Sequence, residues 1–200
     1  GTSVARRKTD DREHGASGAG PAARAELSIA DASGETRGVA LVLHGGRADS
    51  FEAVRARHLS PARMVPFAQA LRNEGGPHGL AVWTLRNRYR GWNGQDMSPV
   101  QDARWALAQI SIEHPGVPVY LLGHSMGGLI AQQLALDASH RVRSLCLQCT
   151  FSRGPEAARL TPWVLWMNLR IRLGPRRARR RAFLEMVMPP GAVSDENVDM

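Results

Sequence analysis

Residues 117–136, VPVYLLGHSMGGLIAQQLAL, constrain this chain more than any other stretch. A β-branched and apolar run leads into Gly123-His124-Ser125-Met126-Gly127, and a run of helix formers follows. The first part reads as a strand and the last as a helix, so a serine between two glycines stands at a sharp strand-to-helix boundary. A serine held there needs a strained, positive-φ backbone that turns its Oγ into a cleft. The flanking backbones then approach so closely that a Cβ two residues to either side would clash. Gly123 and Gly127 remove those side chains. The pattern predicts Ser125 as a nucleophile, with the N-terminal dipole and free N–H groups of the next helix aimed at its surroundings.

The flanking sequence predicts a sheet for this element to join. Residues 25–31 (AELSIAD) alternate like a half-buried strand, and residues 38–46 (GVALVLHGG) form a continuous apolar run that ends in glycines, as a buried parallel strand does. Residues 61–71 have helical spacing, with Pro66 displacing their start. Residues 79–87 read as the next strand. A helix then opens with Ser98 as N-cap, Pro99 at the first helical position and Gln101 at capping-box spacing, and runs to about Glu113. After the central strand and helix, VRSLCLQCTF reads as another strand. From Gly38 onward the order is β-α-β-α-β-α-β with short connections, which predicts an α/β fold: a mostly parallel sheet with helices on both faces. Right-handed crossovers put the C-terminal strand ends on one edge, where sites in such sheets collect. His44-Gly45-Gly46, the loop after Asn87, Ser125 and the loop after Phe151 all fall there.

A tetrahedral intermediate on Ser125 needs donors for its oxyanion. The N–H of Met126, at the start of the helix, is one. The loop His44-Gly45-Gly46 supplies the second, with Gly46 N–H the first choice and Arg47 N–H the next. Each such donor contributes about 3 to 4 kcal/mol to transition-state stabilisation.

LVLHGGR and LLGHSMGG in this strand order resemble the α/β-hydrolase superfamily, most nearly its bacterial esterase and monoacylglycerol-lipase-like members, over residues 25–151. The resemblance implies a serine hydrolase acting on carboxylic esters or related acyl substrates through an acyl-enzyme, with no metal or organic cofactor. It also implies a helical cap after Phe151, where TPWVLWMNLRIRL and the arginine-rich run lie. Trp163, Trp166 and Met167 either line an acyl pocket there or form the cap's own packing face.

In this superfamily an acid and then a histidine follow the nucleophile in sequence. Downstream of Ser125 the sequence has one histidine, His140, and Asp137 is the only acid between the two. Both stand at the far end of the helix that begins at the serine, about 18 Å away, so they cannot complete a triad. His44 and His124 belong to the two motifs and read as structural. His78 and His114 precede strands on the opposite edge, which leaves His58, in a loop on the active edge, as the one improvised base. The sequence runs out after a further helix start at Ser194, so the sheet is expected to lack its last strands. The 200-residue chain then reads as a hydrolase of weak or no turnover. The alternative is a non-catalytic binding or scaffold protein with the same cleft.

Composition limits the other possibilities. An apolar fraction of 43% fits one globular core, and no run approaches the roughly 18 to 20 residues of a membrane span. Residues 1–24 are basic, then small and polar. They read as a disordered leader without the apolar segment of a secretory signal. The hydrolase core occupies residues 25–151 and a cap or linker residues 152–200. The formal charge of +8 comes almost wholly from arginine, since Lys8 is the only lysine. GPRRARRRAF lacks the interleaved aromatic residues of a single-strand binder and reads as a solvated helix face, with no nucleic-acid partner expected. Cys146 and Cys149 lie three apart in a strand and so point to opposite faces. They read as two ordinary core cysteines of a reduced, cytoplasmic protein rather than a metal or redox pair.

Overall fold

The computed structural model describes residues 4–8 and 23–151 and, further on, residues 162, 166, 169, 170 and 173–187. It separates into two compact units, residues 1–152 and 153–200. The first unit carries a six-stranded mixed sheet in the order β1-β2-β4-β3-β5-β6. The strands are β1 (Val4–Lys8), β2 (Glu26–Ala30), β3 (Gly38–Leu43), β4 (Leu80–Arg86), β5 (Val119–His124) and β6 (Val142–Gln148). Pairing is parallel from β4 through β3 and β5 to β6, and antiparallel where β2 joins β4 and β1 joins β2. Four helices belong to this unit: α1 (Leu59–Ala62), α2 (Val65–Gly75), α3 (Ser98–Glu113) and α4 (Met126–Asp137).

Strand periodicity divides the core into two layers. Leu27, Val39, Leu41, Leu43, Trp83, Leu85 and Leu121 turn to one face and pack against Val100, Ala103 and Ile110 of α3 and Ile130 and Leu134 of α4. Ala40, Val42, Val82 and Leu122 turn to the other, where Met64 and, partly buried, Ala68 and Leu71 of α2 cover them. β3 and β5 stand in the middle of the sheet, so β3 is buried along its whole length. Burying a Leu or Val side chain contributes about 1.5 to 3 kcal/mol, and both central strands therefore lead to fixed end points.

Several local expectations are corrected. Residues 4–8, assigned above to a disordered leader, form β1: the strand pairs with β2, and Arg7 reaches over to Glu113 at 2.7 Å. Its charged side chains belong to an exposed edge, which is why no apolar pattern announces it. β2 is buried at all but its central Ser28 rather than half-buried, because neighbours flank it on both sides and helices cover the sheet. The helix expected over residues 61–71 is divided into α1 and α2, with Pro66 in the first turn of α2, where its missing N–H leaves no hydrogen bond unmade. Ser98 is the first residue of α3 and not its N-cap. That position belongs to Met97 in a left-handed conformation (φ 43°), and no side chain caps the helix. The Ser98 hydroxyl instead accepts a hydrogen bond from Asn93 Nδ2 at 3.2 Å, and Gln101 Nε2 donates to Asp96 O at 2.7 Å. Cys146 and Cys149 are free and exposed, not core residues. β6 is the terminal strand among the described ones, and its middle residues face solvent.

The second unit contains α5 (Arg176–Val187), which takes up the arginine run as a helix. Within it Arg170 lies 3.3 Å from Glu185. Among the described residues no helix is long and apolar enough to cross a membrane.

Candidate active site

Ser125 follows the last residue of β5 and directly precedes α4, with φ 57° and ψ −125°. A β-carbon-bearing residue holds such angles only where its surroundings over-determine them. Three hydrogen bonds do so here. Ser125 N–H donates to Gln148 O of β6 at 2.9 Å, while Ser125 O accepts from Gly128 N–H at 2.9 Å and from Thr150 Oγ1 at 2.7 Å. The serine is half-buried and its Oγ makes no hydrogen bond among the described residues. The glycines explain the tightness of the turn. A Cβ on Gly123 would run into the Gly127 carbonyl, and one on Gly127 into the Leu43 carbonyl at the end of β3. The elbow is thereby pressed against the neighbouring strand, which α4 could not approach with side chains at those positions.

The loop after β3 reaches the same point. A Cβ on Gly45 would lie 3.5 Å from Ser125 Oγ, and one on Gly46 would meet the Met126 side chain and the Arg90 carbonyl. The structure thus brings Gly46 and Met126 together beside Ser125. Neither N–H has an acceptor among the described residues. Arg47 N–H, the second choice above, is committed to Arg90 O at 2.8 Å and is no longer available as a donor.

What holds this loop is a ladder between it and the loop after β4. Arg47 O accepts from Trp92 N–H, Ala48 O from Asn93 N–H and Ser50 O from Gly91 N–H, each at 2.9 Å, while Val54 N–H donates to Arg88 O at 3.0 Å. Asn93, buried and left-handed (φ 64°), locks the ladder from within, since its Oδ1 accepts Ser50 N–H at 2.8 Å. Arg88 donates to the buried Asp102 of α3 at 2.6 Å from Nε and 2.8 Å from its backbone N–H, which anchors the ladder to the helix layer. Burial raises the Asp102 carboxyl above its usual range, against the pull of Arg88. Asn93, Asp102, Gln148 and Thr150 were not singled out from the sequence. Thr150 alone left a signal, as a hydroxyl just past a strand end on the active edge.

The histidines fall into separate roles. His44 is almost fully buried. Its Nδ1 lies 2.6 Å from Gly45 O, and its Nε2 accepts Asn87 N–H at 3.2 Å. The imidazole is therefore neutral with its proton on Nδ1, and burial pushes its pKa down to about 4. His124 is half-buried, and burial first, then the charge of Arg63, lowers it too. His58 Nδ1 accepts Arg55 N–H at 3.2 Å, and its Nε2 lies 3.8 Å from Glu52. Asp137 is held by Arg104 at 2.6 Å and by Gln133 at 2.9 Å. His140 lies in the exposed turn between α4 and β6, at the opposite edge of the sheet. His14 lies outside the described residues. Of the three aromatic and thioether residues assigned above to a cap, Trp163 and Met167 also lie outside the described residues. Trp166 is an exposed ring beneath the Arg170 guanidinium, 4.6 Å from its centroid. Among the described residues no cluster of three His, Cys, Asp or Glu side chains could hold a metal ion.

Comparisons with known proteins agree with this geometry. The chain is similar in fold to a thermostable carboxyl esterase from Bacillus coagulans, at 18% identity and a TM-score of 0.54 over 94% of this chain and 56% of that one. It is similar also to a bacterial heroin esterase, at 18% identity and 0.52 over 76% and 45%, and to Est1E from Butyrivibrio proteoclasticus, at 16% and 0.50 over 77% and 54%. The chain thus spans about half the length of these structures. No curated protein sequence matches it significantly. The family model described as serine aminopeptidase, S33 matches residues 78–186, which run from the turn before β4 through the elbow and into α5. That match covers more than half of the sequence, and with this fold the chain belongs to the serine aminopeptidase S33 family of α/β hydrolases.

Proposed function

We propose that Ser125 is the nucleophile of an acyl-transfer site for carboxylic esters or related acyl compounds, and that the 200-residue chain carries this nucleophile without an effective base. The observation that supports the first half is the Ser125 backbone, φ 57° at the junction of β5 and α4, with Gly46 and Met126 alongside. In the proposed step Oγ forms a bond to the carbonyl carbon and the carbonyl π pair moves onto oxygen. The Gly46 and Met126 N–H groups then stabilise that oxygen. Collapse expels the alcohol, leaves an ester on Ser125, and water later releases the acid. The Oγ proton has to leave during attack. A neighbouring imidazole ordinarily takes it and supplies a factor of about 10² to 10⁴. No histidine makes a hydrogen bond to Ser125 Oγ among the described residues, which supports the second half. The fold likeness to esterases supports the ester class of substrate; the family description would favour an amide or peptide, with the same nucleophile.

Fluorophosphonate labelling mapped by peptide mass spectrometry tests the reading. Labelling is expected to be slow, confined to Ser125, and accelerated when free imidazole supplies the missing base, with no signal from Ser125→Ala. A chain that takes up no label at Ser125 even with imidazole is a binding or scaffold protein and not a disabled hydrolase.

A further inference from the structure

At the edge of the sheet opposite Ser125 lies a cavity of about 280 Å³, lined by Gly116 and Pro118 before β5 and by Ser139, His140, Arg141 and Arg143 around the start of β6. Its lining contains no carboxylate. Two of the guanidinium nitrogens of Arg141, Nε and Nη2, are shut off from solvent and have no hydrogen-bond partner. Buried donors of a charged group are ordinarily satisfied, and an orphaned pair calls for a missing acceptor. The nearby carboxylates do not provide it: Glu113 at the end of α3 is engaged by Arg7 at 2.7 Å, and Asp137 at the end of α4 by Arg104 at 2.6 Å.

The arrangement has a specific geometry. Nε and Nη2 form the side-on edge of a guanidinium, whose two parallel N–H groups match two oxygens of one carboxylate or phosphate. The strand beside it is irregular at this point. Val119 pairs with Val142 but Tyr120 pairs with Ser144, so Arg143 is an extra residue in a β-bulge, a feature that re-aims side chains. Gly116, at φ 76°, makes the turn that bounds the other side. The geometry points to an anion-binding site in which the Arg141 fork, supported by Arg143 and His140, holds the phosphate or carboxylate group of a small molecule. This site is separate from the candidate active site, because the six residues of β5 carry the chain about 20 Å from one edge to the other. It does not depend on Ser125 being a nucleophile.

Calorimetric titration of the 200-residue chain with sodium phosphate, at ionic strength held constant with sodium chloride, tests the site. Saturable one-to-one binding in the millimolar range or tighter is expected, weakened about tenfold or more by Arg141→Gln and by a smaller factor by Arg143→Gln. Acetate titrated in parallel separates the two anion shapes, and stronger binding of either one, abolished by Arg141→Gln, supports the site. Ser125→Ala should bind as the parent does. If Arg141→Gln fails to fold, Arg141→Lys keeps the charge and removes the fork, and should still weaken binding several-fold. Neither anion saturating below about 10 mM, or an Arg141 variant that folds and binds as tightly as the parent, overturns the proposal.

Discussion

The backbone N–H of Asn87, just past β4, donates to Nε2 of His44, just past β3, at 3.2 Å, and so ties together the two strand ends from which the Gly46 loop is built. The bond requires a neutral imidazole, because the protonated ring has no lone pair to accept with. In the folded chain the His44 pKa lies at about 4, against about 6.5 for a free histidine.

A group whose folded pKa is depressed below its unfolded one binds more protons when unfolded. Stability from His44 is therefore complete above about pH 6.5 and lost as the pH falls toward 4, by about 3 kcal/mol in all. Urea denaturation at pH 7 and at pH 4.5 should show that loss in the parent and a much shallower one in His44→Gln. Equal pH slopes in the two proteins would mean that His44 is not the buried neutral group described here.

The Asn93 amide should matter for stability out of proportion to its size. Asn93→Ala leaves Ser50 N–H without its acceptor and Ser98 Oγ without its donor, and places a Cβ residue without local hydrogen bonds at φ 64°. A loss of about 2 to 4 kcal/mol is expected, with Asn93→Asp intermediate because it keeps the acceptor. Chemical denaturation midpoints check this. An alanine variant within about 0.5 kcal/mol of the parent would show that the two loops are held by the backbone ladder alone.

Glycine substitutions separate close approach from mere exposure. Gly46→Ala drives a methyl group against the Arg90 carbonyl and the Met126 side chain, and Gly127→Ala drives one against the Leu43 carbonyl. Carbonyls fixed in a ladder or a strand cannot move aside cheaply, so each should destabilise by about 1 to 3 kcal/mol or more. Gly34→Ala meets nothing within 4 Å and should stay within about 0.5 kcal/mol. Thermal unfolding of the three variants side by side is the check, and a Gly127→Ala chain as stable as Gly34→Ala would contradict the packing of the elbow.

Legibility in the sequence followed the range of the forces involved. The strands β3, β4 and β5 and the helices α3 and α4 were readable because each is specified by its own apolar pattern, and Ser125 because steric crowding demands Gly123 and Gly127 in the same five residues. The loop at Gly46 was readable as a motif. The reason it stays in place was not: Asn93, Asp102 and the ladder to residues 88–93 depend on pairings across 40 or so positions, which no local pattern carries. β1 escaped notice because an edge strand of Arg and Lys has no apolar signature. Cys146 and Cys149 were misread for the opposite reason, since their apolar neighbours suggest a central strand and β6 is the terminal one described.

The central claim is a formed nucleophile without a base, and the hydrolysis of a p-nitrophenyl ester by the 200-residue chain and by Ser125→Ala, compared under identical conditions, tests it most directly. The account predicts rates barely above the buffer background and nearly equal for the two proteins, since an unassisted serine hydroxyl lacks the factor of about 10² to 10⁴ that a general base provides. Rapid hydrolysis by the parent that disappears in Ser125→Ala would contradict it and would assign the base to a histidine discounted here, His58 or His14 being the first to replace.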